Sequence, residues 1–175
     1  MRGGRHLLIA LLLSGCSEVI LDCDDPEAAG WSEENADAER DMLVAVNSAR
    51  ESGATCRGTV MPPVPPLEMD DALRCAARSH AVDMATSDYF AHDSLAGNGP
   101  SVRVDRVGYE WSVVSENIAA GRDTAEATVA GLLASTTGHC ENMLDPEVVD
   151  AGMGVAFAAE TSYGWYWTQV FAAPR

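Results

Sequence analysis

The chain has 175 residues, 47% of them hydrophobic, and carries 11 Lys and Arg against 27 Asp and Glu, a formal net charge of −16. That length suits one compact domain rather than a repeat array or a multidomain enzyme. The charge argues against nucleic acid as a partner, because phosphate recognition needs a cationic face that displaces counterions, and few cations are present to build one.

Arg2 and Arg5 precede an apolar run from Leu7 to Leu13, and small residues follow it before Cys16, which is the anatomy of a signal peptide over residues 1–15. The run is too short to span a bilayer comfortably. Leu13-Ser14-Gly15-Cys16 resembles a bacterial lipobox, in which cleavage precedes the cysteine and its sulfur receives diacylglycerol. Burial of acyl chains contributes about 0.8 kcal/mol per methylene, so an acylated Cys16 would hold the chain on a membrane without a spanning helix. Ser17 resembles an outer-membrane sorting choice, which makes the expected location the cell envelope, at the outer membrane or outside the cell. Residues 16–37 are acidic and small, show no sustained period and are expected to form a tether.

Beyond it, Met42, Val46 and Ala49 mark an amphipathic helix over 38–50, with Asp37 as its expected cap and Gly53 as its end. The Pro-Pro pairs within 54–66 exclude a helix and give a crossing loop. Asp70 opens a second helix with the stripe Leu73, Ala76, Ala77, His80, Ala81, Met84. A Gly- and Ser-rich loop after Asp88 carries His92, and Pro100 begins a short helix closed by Gly108. Residues 111–118 read as extended, and Asp123 with Glu126 caps a helix packing through Ala125, Val129, Leu132 and Leu133. Residues 152–160 and 165–171 read as strands joined by a hairpin loop at 161–164. Trp165, Trp167 and Phe171 would alternate with Tyr166, Thr168 and Val170 on its two faces, with core packing as the default. Helices followed by an antiparallel hairpin make the class α+β.

With Cys16 assigned to lipid, Cys23, Cys56, Cys75 and Cys140 form an even set in an oxidising compartment, and two disulfides with three possible connectivities are expected. His139 precedes Cys140, but adjacent residues seldom face each other as a nucleophile and its base must, so Cys140 is read as a disulfide partner. The HExxH, GxSxG, GxxxxGK[ST] and GxGxxG patterns are all missing. What remains for chemistry are His92, Glu116 and His139, polar residues on Gly- and Ser-rich connections. Two neutral imidazoles and one carboxylate, with a position open to water, match many zinc sites if bonds of about 2 Å form together. The same groups could equally make a hydrogen-bonded cluster that braces loops. His80, on an apolar stripe, reads as a satisfied core residue, and Asn117 as a brace.

The segments AARSHAVDMA, YFAHDS, RVGY, SENIAAG, GHCENMLDP, GMGVAF and YWTQVF, in this order and spacing, resemble the bacterial branch of the CAP superfamily, which unites cysteine-rich secretory proteins, antigen 5 and plant pathogenesis-related proteins. The resemblance runs from about Asp37 to Phe171 and implies a three-layer α-β-α sandwich around a central antiparallel sheet, with residues 38–175 as the domain. By the same resemblance His92, Glu116 and His139 occupy positions of the family's cleft, as candidate catalytic or metal-binding groups. The family's second acidic residue lies three positions after a tryptophan, and those two positions read Leu132 and Ser135 here, so the acid/base set is incomplete. The resemblance therefore implies a non-catalytic, surface-anchored module that binds a lipid, sterol, glycan or protein, with a cleft able to hold zinc or another divalent metal. A peptidase or envelope-modifying hydrolase and a disulfide-locked scaffold are the alternatives. It also pairs Cys56 with Cys140, leaving Cys23 for Cys75.

Overall fold

The computed structural model describes Glu18, Leu21 and residues 31–175. The expected signal peptide, the lipidation site Cys16 and Cys23 lie outside the described residues. Among the described residues no helix is long and apolar enough to cross a membrane.

Helix α1 (Glu33–Ser52) begins earlier than expected, because Ser32 and not Asp37 is its cap: the Ser32 side chain accepts from the Asn35 amide, and Glu33 and Glu34 stand in the first turn. Carboxylates there face the positive end of the helix dipole, so residues that read as tether are helical. The Pro-rich crossing then contains a hairpin, β1 (Ala54–Cys56) and β2 (Thr59–Met61), turned by Arg57 and Gly58 at φ 47° and 85°. Positive φ at both turn positions matches the twist of the strands. A two-residue strand β3 (Glu68–Met69) leads into α2 (Asp71–Ser87), where Asp70 caps the helix as expected by accepting from the Leu73 amide.

Helix α3 (Pro100–Arg106), strand β4 (Trp111–Ala120), helix α4 (Ala125–Leu133), helix α5 (His139–Met143) and strands β5 (Asp150–Phe157) and β6 (Trp165–Pro174) complete the chain. The cap of α4 is Thr124, whose hydroxyl accepts from the Ala127 amide, rather than Asp123. The central sheet has the order β3-β5-β6-β4. Its three long strands are antiparallel as expected, and the short edge strand β3 is the exception, pairing parallel to β5.

Alternation along β6 divides the core as the sequence predicts. Trp167 and Phe171 face the layer of α1 and α4, against Met42, Val46, Val129 and Leu132. Val170 and Ala172 face α2 beside Leu73 and Ala77, and Tyr166 packs with Ala81 and Met84. Helices therefore cover both faces, and the architecture is the α-β-α sandwich. Cys56 of β1 is bonded to Cys140 of α5, with their Cα atoms 5.5 Å apart. Cys75 is also disulfide-bonded, and its expected partner Cys23 lies outside the described residues. Arg50, buried at the end of α1, donates to the carbonyls of Pro65, Met143, Asp145 and Val148. One guanidinium thus ties the crossing loop to the segment that carries α5.

Candidate functional site

Strand β4 is an edge of the sheet, and its alternation sends Glu116 and Asn117 to opposite faces. Glu116 points to the α2 side and is buried. One of its oxygens, Oε1, accepts from His92 Nδ1 at 2.9 Å, and the other, Oε2, accepts from an Arg103 guanidinium nitrogen at 2.8 Å. Arg103, on α3 and also buried, donates to the carbonyls of His92 and Asn98 as well. A single arginine therefore fixes the carboxylate and the backbone of the loop whose histidine that carboxylate orients. Charge-assisted bonds of this kind are among the stronger ones available.

His92 itself leaves 48% of its side chain open to solvent. With Nδ1 donating to Glu116, its Nε2 is the nitrogen free to take a proton or a ligand. His139 starts α5 on the other face of β4. Its backbone carbonyl accepts from Asn117 Nδ2, which also donates to Gln169 Oε1, and Asn142 donates to Asn117 Oδ1 and to the Glu116 carbonyl. Asn117 is thus the brace expected, on a strand rather than in a loop, and it links the two histidine-bearing faces. Burial holds the His139 imidazole below its usual pKa, and the neighbouring His92 pushes it the same way.

His80 belongs to this cluster more closely than an apolar stripe suggests. Its Nε2 donates to the Ala91 carbonyl at 2.9 Å and lies 3.9 Å from Glu116 Oε1, while its buried Nδ1 has no hydrogen-bond partner among the described residues. Burial is the main cause that lowers its pKa, with Glu116 opposing and Arg103 assisting. A folded-state pKa below the unfolded value of about 6.5 means that the unfolded chain binds the proton more readily, so this stability is complete above that pH and is lost as pH falls below it. Urea midpoints measured at pH 7 and pH 5 should therefore fall more for the wild type than for His80→Gln; equal falls would remove the assignment.

The position that would carry a second carboxylate holds Ser135, whose hydroxyl bonds to Thr137, and Leu132 three positions earlier is buried in the core. Among the described residues no group of three or more His, Cys, Asp and Glu side chains is placed to hold one metal ion. Glu116, bonded to both His92 and Arg103, stands behind His92 as the group that sets its tautomer. Arg103 was not readable as part of the site, since an arginine in a short helix carries no sequence signal of burial.

The sequence profile of the cysteine-rich secretory protein family matches residues 43–171. The uncharacterized protein YkwD of Bacillus subtilis is 33% identical over 106 residues, which are 61% of this chain and 39% of that protein, so the chain spans well under half of this curated relative. An extracellular protein of Bacillus anthracis that contains an SCP domain superposes with a TM-score of 0.61 at 25% identity, over 85% of this chain and 43% of the other. An outer surface protein of Borrelia burgdorferi superposes with a TM-score of 0.66 at 16% identity, over 86% of this chain and 96% of the other, which speaks to the fold alone.

Proposed function

Since the chain belongs to the cysteine-rich secretory protein family, we propose that it works in the cell envelope as a binding module, exported and held to a membrane through Cys16, whose cleft presents His92 and His139 to a divalent metal or ligand. The observation that carries the choice of binding over hydrolysis is the engagement of Glu116. Both of its oxygens already accept hydrogen bonds from charged or chargeable donors, and its side chain is 1% exposed. A general base needs an oxygen within reach of the water it deprotonates, and a carboxylate enclosed by a guanidinium and an imidazole offers none. Its natural service is to orient His92.

That service suits metal binding. A carboxylate that accepts from one imidazole nitrogen fixes the tautomer and raises the basicity of the other, which is the usual support behind a histidine ligand. An ion here would be held by His92 and His139 with water completing its shell, and it would supply a positive centre for an anionic or carbonyl-bearing ligand. Export finds support in the signal-peptide pattern and in the similarity to a Bacillus anthracis protein described as extracellular.

Isothermal titration of the full chain with zinc tests the reading. Heat of binding is expected in the wild type, lost in His92→Ala and in His139→Ala, and weakened roughly 10- to 100-fold in Glu116→Gln, the usual effect of removing a supporting group. Binding that survives both histidine changes would remove the metal from the proposal.

A further inference from the structure

The carboxylate of Glu18 enters the neighbourhood of the site from a different part of the chain. Its side chain is only 5% exposed. Oε2 accepts from Asn98 Nδ2 at 2.7 Å and from an Arg106 guanidinium nitrogen, and Oε1 lies 4.0 Å from Arg103. A second attachment follows at Leu21, whose amide donates to the Ser79 hydroxyl of α2 at 3.2 Å. The chain is therefore held against α2 and α3 at Glu18 and Leu21, where the sequence predicted a free tether.

We propose that Asn98, Arg103 and Arg106 form an oxyanion-binding subsite beside His92, which Glu18 fills in cis and which takes the carboxylate or phosphate group of a ligand when Glu18 leaves. In a chain with 27 acidic residues and 11 basic ones, two guanidiniums and a carboxamide converge on one point. Guanidinium groups match the geometry of carboxylate and phosphate oxygens, and Arg103 and Arg106 bring two positive charges of which Glu116 balances that of Arg103, so the subsite takes a further anion.

Glu18 fills it imperfectly. Among the described residues its Oε1 has no hydrogen-bond partner, and Arg103 Nε, equally buried, has no acceptor. A donor and an acceptor of matching chemistry thus remain unsatisfied on residues that already face each other, with Glu18 Oε1 4.0 Å from the Arg103 guanidinium. Arg103 also holds the His92 carbonyl and Glu116, so exchange at the subsite acts directly on the loop that presents His92. The subsite stands without the metal and is tested apart from it.

The test follows the Nε–Hε NMR signals of Arg103 and Arg106 in the full chain, held in detergent and free of metal, as sodium acetate or inorganic phosphate is added. In Glu18→Ala one or both anions should produce saturable shifts, with an apparent affinity at least about tenfold higher than in the wild type, since a subsite occupied nine-tenths of the time in cis loses that factor. Adding Arg106→Ala should abolish the saturation. The two anions separate a carboxylate site from a phosphate site, and either supports the proposal. Glu18→Gln repeats the measurement should the alanine variant unfold. A cooperatively folded variant that responds to neither anion, or one that titrates like the wild type, overturns it.

Discussion

Gly154→Val is expected to prevent the domain from folding, and Gly154→Ala to lower its stability by about 3 kcal/mol or more, at the upper end of what overpacking costs. The reason is space rather than backbone conformation. A Cβ on Gly154 would lie 2.4 Å from the carbonyl carbon of Ala77 and 2.5 Å from its oxygen, and one on Gly152 would lie 2.1 Å from the corresponding atoms of Leu73. These are backbone atoms of α2, which cannot move aside as a side chain can. The two glycines alternate with Ala151, Met153 and Val155, which face the opposite layer, so β5 turns two bare positions toward α2 and filled ones toward α1. Moving α2 outward would also carry His80 away from Glu116, so the damage would reach the site. Urea unfolding followed by circular dichroism measures the effect; a Gly154→Ala protein within about 1 kcal/mol of the wild type would contradict the close approach.

The second large effect belongs to Glu116. Glu116→Ala should cost about 3–5 kcal/mol, the range found when one member of a buried ion pair is removed and the other stays behind without a partner. Arg103, with a side chain 4% exposed, is the group left behind, and the carboxylate that remains near it, Glu18 at 4.0 Å, is beyond hydrogen-bond reach. Replacing both, as in Glu116→Ala with Arg103→Met, should recover part of the loss, because the uncompensated charge goes with the arginine. A single change costing under about 1 kcal/mol would show that the pair does not hold the loop. This stability cost separates two roles for the carboxylate: a group kept for proton transfer could be lost with the fold intact, whereas a brace could not.

Much of the fold was legible because its long elements carry strong periods. The apolar stripe of α2 and the alternation of β6 each point to one solution, and both are found. The hairpin of β1 and β2, the edge strand β3 and the short helix α5 were not legible, since elements of two to five residues contain less than one or two periods of any pattern. The caps of α1 and α4 were misplaced for a local reason. Ser32 and Asp37, like Thr124 and Asp123, are all capable caps, and which one is used depends on where the helix docks. At the site, the resemblance pointed to His92, Glu116 and His139, of which His92 and Glu116 are bonded to each other, and it implied the pairing of Cys56 with Cys140, which is found. It did not reveal that Glu116 is enclosed. Arg103, His80 and Glu18 define that environment through contacts 11 to 88 positions apart in the chain, and an arginine or glutamate in sequence reads as solvated unless its partners are known.

The most direct measurement is long-range proton–nitrogen NMR of the His92 ring during a zinc titration. Before zinc, Nδ1 should carry the proton and Nε2 should be bare, and zinc should then shift Nε2 while Nδ1–H stays bonded to Glu116. A ring protonated at Nε2 from the start, or one that meets zinc through Nδ1, would contradict a carboxylate whose part is to hold that histidine in place.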